Sequence, residues 1–144
     1  MDLSNLEILF EETRKLTVVS DRTGSPTWAR ALAEATASLL RRKELIAGHS
    51  GIYHLSAAGH PSRYEFASDI VRLMRDASGQ TDGWAAIEAV SSDDYPKLPA
   101  ERPPNPVTSK DKIKRVFGIE MAHWEAQLRA FLAQQAGVEP NGVS

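Results

Sequence analysis

Cysteine is absent from the 144 residues, so the chain has no disulfide framework and no thiolate metal site; a reducing, cytosolic setting is permitted rather than demanded. Long apolar runs are also missing, none approaching the roughly 20 residues of a membrane span. Met1-Asp2-Leu3-Ser4-Asn5 lacks the basic region and apolar core of a secretory leader, so a soluble, cytoplasmic protein with no membrane partner is expected. Nor is there an excess of positive charge: 17 Lys and Arg stand against 19 Asp and Glu, a formal net charge of -2. The densest basic run, Arg41-Arg42-Lys43, reads as a solvated helix end. Binding a polyanion needs a basic patch, so no nucleic-acid partner is expected.

The familiar catalytic patterns are missing as well. No G-x-S-x-G elbow, Walker loop or G-x-G-x-x-G after a strand can be read. His49, His54, His60 and His123 are too scattered for a spaced metal site, and no H-E-x-x-H accompanies them, so no metal is expected. His54 reads as a core or edge histidine of a strand, and Asp93-Asp94 as solvated loop carboxylates.

What is present is an α/β pattern, with 42% hydrophobic residues, enough for one core. Leu3, Leu6, Phe10 and Thr13 recur at helical spacing. Leu16–Val19 is a β-branched run followed by the turn Asp21–Gly24, which marks a buried strand. Ser25 is then the candidate N-cap and Pro26 the first position of a helix that carries Trp28, Leu32, Ala35 and Leu39 on one face to about Arg42. The free N–H groups at its start are a potential anion site, and its alanines make it slim enough to be sandwiched. Ile52–Ser56 alternates like a short strand. Ser62-Arg63-Tyr64-Glu65 has the form of a capping box, opening a helix that Gly79 stops. Trp84–Val90 reads as another strand.

Five prolines between Ser91 and Ser109 rule out a helix and leave a loop too long for a mere connector, with a guanidinium at Arg102. Ser109 caps the next helix, which bears Ile113, Val116 and Phe117 and ends at Gly118; Trp124, Leu128, Phe131 and Leu132 mark the last. The expectation is about five helices and three short strands, with Ile52–Ser56 in the sheet, over residues 1–136, and a frayed tail over 137–144.

Taken together and in order, the run Val18-Val19-Ser20-Asp21-Arg22-Thr23-Gly24-Ser25-Pro26-Thr27, then Gly51-Ile52-Tyr53-His54-Leu55, then Glu101-Arg102-Pro103-Pro104-Asn105, then Phe117-Gly118 before Trp124, resembles the C-terminal half of the dTDP-4-dehydrorhamnose reductases. These are extended short-chain dehydrogenase/reductases. Pro106 and Thr108 depart from the family's usual serine and leucine.

The resemblance implies the C-terminal part of a Rossmann-type reductase that passes a hydride from NADPH or NADH to the C4 ketone of a dTDP-linked 6-deoxyhexulose, in dTDP-L-rhamnose synthesis. Such a reaction uses a glycine-rich dinucleotide loop and a tyrosine with a lysine four positions on. Here Tyr53, Tyr64 and Tyr95 are followed at that spacing by Ala57, Ser68 and Pro99. The nucleotide-binding half is missing, and the chain reads as a fragment, a split-gene product or an isolated substrate-side portion. Hence no catalytic or cofactor-binding residue is assigned, and no cofactor is expected to bind this chain alone.

Carried over residue by residue, the resemblance places Gly24, Pro26 and Thr27 at the cleft between cofactor and sugar, and Arg102 on the nucleotide-sugar side, where a guanidinium suits diphosphate oxygens. The partners implied are a dTDP-sugar and either a separate N-terminal half or a second copy, which would cover apolar surface at Trp28, Leu32 and Ile52 and the strand edge at Tyr53 and Leu55. Two alternatives stand beside this: a non-catalytic binding or regulatory subunit, as in the beta subunit of methionine adenosyltransferase, which is similar to these reductases, or a decayed gene fragment.

Overall fold

β1 (Lys15–Val19) and β2 (Ala86–Val90) pair in parallel, Lys15 opposite Ala86 and Val19 opposite Val90. The Ser20 N–H continues the ladder to the Val90 carbonyl at 3.0 Å. A parallel pair needs a long crossover rather than a tight turn, and here all of residues 20–85 separate the strands. The computed structural model describes residues 15–94, 103 and 105–135. It divides into two units, residues 1–24 with 61–106 and residues 25–60 with 107–144. The helix expected from Leu3 to Thr13 lies outside the described residues.

In the first unit the strands are backed by α3 (Arg63–Ser78), which packs on both. It forms as its sequence requires. Ser62 Oγ accepts the Glu65 N–H at 3.1 Å, and Glu65 Oε2 accepts the Ser62 N–H at 2.6 Å, completing the capping box. At the other end Gly79, with φ +69°, takes the left-handed conformation that terminates the helix. Ile70 and Val71 are buried with Val19 and Ala85, and a fully buried isoleucine contributes about 1.5–3 kcal/mol.

The second unit is helical: α1 (Ala29–Leu40), α2 (Lys43–Ala47), α4 (Asp111–Phe117) and α5 (Trp124–Gln135). Its core is Ile113, Phe117 and Ile119, packed against Ala35, Leu39, Ile46, Tyr53, Leu55 and Val116. Gly118, at φ +65°, ends α4. Ser109 Oγ accepts the Asp111 N–H at 3.2 Å, so it does hold the start of that helix, one position ahead of the cap residue Lys110.

Four expectations are corrected. Ile52–Ser56 is not a strand: among the described residues its backbone has no ladder partner, and the Ile52 carbonyl instead accepts from Lys112 Nζ at 2.9 Å. Alternating side chains make a segment fit for a sheet, but a strand also needs a neighbouring backbone. Ser25 and Pro26 do not open a helix, since the chain stays extended to Trp28 and α1 begins at Ala29. α1 is not sandwiched among the described residues, where none of its side chains is buried. Arg42 is more than a solvated end, for its Nη1 donates to the Phe117 carbonyl at 2.7 Å. The short helix α2, directly after it, went unanticipated.

Candidate functional site

In the first unit the residues Ser20–Gly24 leave β1 as a turn tied on two sides. Toward α3, the Gly24 N–H donates to the Pro61 carbonyl at 3.1 Å, the Arg63 N–H donates to the Arg22 carbonyl at 3.1 Å, and Thr23 forms an antiparallel bridge with Ser62. Toward the segment after β2, the Asp21 carboxylate accepts the Ser92 N–H at 3.1 Å, the Ser92 hydroxyl at 2.9 Å and the Ser91 hydroxyl at 3.2 Å. The Ser92 N–H, then its hydroxyl, then that of Ser91 hold the Asp21 carboxyl below the usual carboxylate range. Thr23 Oγ1 donates to Asn105 Oδ1 at 3.3 Å.

In the second unit the extended Ser25–Trp28 is fixed by side chains. Thr27 Oγ1 donates to the Ser25 carbonyl at 2.9 Å and accepts the Ala57 N–H at 3.0 Å. The Trp28 N–H goes to Gln127 Oε1 at 3.0 Å, and Gln127 Nε2 donates to the Ala122 carbonyl at 2.8 Å. Gln127 is only 5% exposed, so this amide is a buried bridge with both ends satisfied. Trp28 also meets Phe131 edge-on, ring centroids 6.2 Å apart.

The expected site residues fare differently. Gly24, in the first unit, is half-buried, and a Cβ built on it would meet no protein atom within 4 Å. Its φ lies outside the left-handed region, so neither backbone strain nor crowding by the protein calls for glycine there. Pro26 and Thr27, in the second unit, are half-buried. The hydroxyl proton of Thr27 is already committed to Ser25, leaving it no donor for a ligand. Arg102 lies outside the described residues.

Reasoning from sequence missed Asp21 with Ser91 and Ser92, and it missed Gln127. A signal existed for the glutamine, which falls three positions after Trp124 and one before Leu128, on the apolar stripe of α5. Among the described residues, no group of three or more His, Cys, Asp or Glu side chains could hold a metal. His54 is exposed on an extended segment, and Tyr53 donates its hydroxyl to the His49 carbonyl at 2.9 Å.

A dinucleotide is not a good fit to the described residues either. The turn after β1 leads into extended chain rather than directly into a helix, so it lacks the close strand, glycine and helix N-terminus that cradle a pyrophosphate.

A protein-family model described as the RmlD substrate binding domain matches residues 3–136. The chain belongs to that family. Among curated relatives of this RmlD-type domain, the dTDP-4-dehydrorhamnose reductase of Burkholderia thailandensis is 37% identical over 121 residues, 81% of this chain and 40% of the relative. The reductase of Salmonella typhimurium is 32% identical, with 88% and 42% covered. The spore coat polysaccharide biosynthesis protein SpsK of Bacillus subtilis is 37% identical, with 89% and 40% covered.

The chain therefore spans about two fifths of the length of these relatives. Two solved structures share its fold at 23% identity. These are the Clostridium acetobutylicum dTDP-4-dehydrorhamnose reductase (TM-score 0.76, covering 93% of this chain and 43% of that one) and the Bacillus anthracis enzyme in complex with NADP (0.74, 92% and 42%). The mixed α/β architecture is thus part of a reductase fold, and among the described residues no helix is long and apolar enough to cross a membrane.

Proposed function

We propose that this chain is the sugar-nucleotide-binding portion of a dTDP-4-dehydrorhamnose reductase-like, NAD(P)H-dependent oxidoreductase, and that alone it transfers no hydride. The observation that carries this is the family match over nearly the whole chain at about two fifths of the length of the relatives. The ligand is a dTDP-sugar. Gly24, in the first unit, contributes an open backbone position and Arg102 a guanidinium for diphosphate oxygens; Pro26 and Thr27, in the second unit, are the further candidate contacts. With its hydroxyl engaged as described, Thr27 contributes through its backbone and methyl group. NADPH or NADH serves the intact reductase. This chain supplies neither a glycine-rich loop nor a tyrosine-lysine pair for it, so binding and orienting the sugar nucleotide is its own share of the reaction.

Calorimetric titration with dTDP tests the reading. Binding that Arg102→Ala weakens by about tenfold, the usual effect of removing one charge-assisted contact, is the expected result. Heat no different from buffer at millimolar dTDP would overturn it. With NADPH and the dTDP-hexulose, nicotinamide absorbance should stay at the blank, and turnover would refute the claim that the chain is inactive alone.

A binding or regulatory role through a partner is favoured by one specific feature: among the described residues, the exposed large apolar side chains Leu32, Leu40, Leu45 and Ile52 belong to the second unit, Ile52 being 79% and Leu40 59% exposed. A separate nucleotide-binding half, or a second copy, is the occupant that this surface suits. Sedimentation should show self-association that Ile52→Lys with Leu40→Lys reduces. A monodisperse monomer that takes up no nucleotide-binding half would remove this reading.

A further inference from the structure

The Ser20–Gly24 turn makes two hydrogen-bonded ties to a single distant segment, and the ties fall near opposite ends of it. Asp21 holds Ser91 and Ser92, directly after β2, while Thr23 holds Asn105, next to the last residue of the unit, Pro106. The first tie is cooperative. One carboxylate receives three donors, and the Ser91 hydroxyl that gives its proton to Asp21 accepts the Asp93 N–H at 3.3 Å. The Asp94 N–H closes a turn on the Ser91 carbonyl at 3.2 Å. The turn is itself immobilised, because β1 precedes it in the sheet and its Arg22 and Gly24 backbone groups bond to Arg63 and Pro61 at the start of α3.

We propose that this turn is a two-point clamp, with Asp21 and Thr23 as positioning residues that hold residues 91–92 and residue 105, which flank the proline-rich stretch of the sequence, against the β1–α3 framework. A carboxylate suits the first end because it offers two oxygens to several donors at once. A hydroxyl paired with an amide gives the weaker tie at the second. The clamp stands whether or not the loop binds a sugar nucleotide, and it is read without any ligand.

Hydrogen exchange followed by mass spectrometry on the full chain tests it. Asp21→Ala should speed exchange across residues 91–94 by roughly tenfold or more, as expected when a charge-assisted contact is lost. Exchange in α3 should stay at the rate of the unaltered protein. Asp21→Asn, which keeps one acceptor oxygen, should recover part of the protection. Thr23→Val should loosen residues 105–107 and spare 91–94, and Thr23→Ser should restore them. Unchanged exchange at 91–94 in the alanine variant, or an equal rise over α3 and both strands, would overturn the proposal. If Asp21→Ala does not fold, Ser91→Ala combined with Ser92→Ala removes the two hydroxyl donors and is read the same way.

Discussion

The two units of the chain satisfy their backbones by different means. Among the described residues of the unit of residues 1–24 and 61–106, backbone pairs mainly with backbone, in two parallel strands and one long helix with a reciprocal cap at one end and a left-handed glycine at the other, the hold of Asp21 on the Ser92 N–H being an exception. In the unit of residues 25–60 and 107–144, the stretches before α1 and before Ala58 are extended without a sheet, and distant side chains serve them. Thr27 serves Ala57, Gln127 serves Trp28, Lys112 serves Ile52 and Lys110 Nζ reaches the Ala57 carbonyl at 3.3 Å. Charge divides likewise, eight Lys and Arg against thirteen Asp and Glu in the first unit and nine against six in the second. A regular ladder spreads its stability over many equivalent bonds. Extended segments held by single side chains concentrate it in a few residues.

Substitutions in the second unit should therefore cost more than comparable ones in the first. The largest effect belongs to Gly59→Ala. Gly59 has φ +79°, and an added Cβ would run into His123 Nε2 and lie 2.7 Å from Trp124 Cδ1, so strain and overpacking together should cost about 2–4 kcal/mol in urea unfolding. Next comes Gln127→Ala, which strands the Trp28 N–H, while the Ala122 carbonyl keeps the Ala58 N–H as its donor, and should cost about 1–3 kcal/mol by the same measurement. Ser62→Ala, in the first unit, removes one half of a cap whose helix is otherwise well packed, and about 1 kcal/mol is expected. If Ser62→Ala proves the most damaging of the three, the contrast between the units fails.

Two smaller effects sharpen the picture. The Asp21 carboxyl is held low by its serine donors, so its contribution is present above the unfolded aspartate value of about 3.9 and is lost as pH falls through the lower folded value. The Ser92 amide resonance should accordingly stay constant from about pH 7 to 5 and move only below about 4. A shift centred at or above the ordinary aspartate value would contradict the hydrogen bonding described. Smallest is Lys15→Ala, which breaks an exposed 2.6 Å pair with Glu88 and should change unfolding free energy by about 0.5 kcal/mol or less.

The same contrast explains what could be read from the sequence. α3 was legible from Ser62, Glu65 and Gly79 because capping chemistry lies within a few residues of the helix it controls. β1 and β2 were legible from β-branched runs beside polar turns, although β1, expected to be buried, is buried at Val19 alone, and β2 starts at Ala86, two residues after Trp84. Ser25 as a cap failed because the Thr27 hydroxyl and the Gln127 amide keep residues 25–28 extended, and the latter lies 99 positions from the N–H it accepts. Ile52–Ser56 was misread because alternation reports which side chains are apolar and says nothing about whether a second backbone is at hand. Of the candidate binding residues, Gly24 has no protein atom within 4 Å of where a Cβ would sit, while the hydroxyl of Thr27 is engaged in holding its own chain.

The offset between the paired strands also governs the order in which the protein can form. β1 finds its register partner 71 positions later, Lys15 meeting Ala86, so during synthesis it must wait for the intervening chain to emerge. At roughly 5–20 residues per second, that leaves its hydrogen-bonding edges open for several seconds. Such a delay invites pairing with the wrong neighbour, and the composition of the strand blunts the risk: its outward positions are Lys15 and Thr17, a charge and a hydroxyl where two further apolar groups would have made a sticky ribbon. α3, whose cap and stop are both local, can form while β1 waits and offers Ile70 and Val71 as a surface for it to settle on.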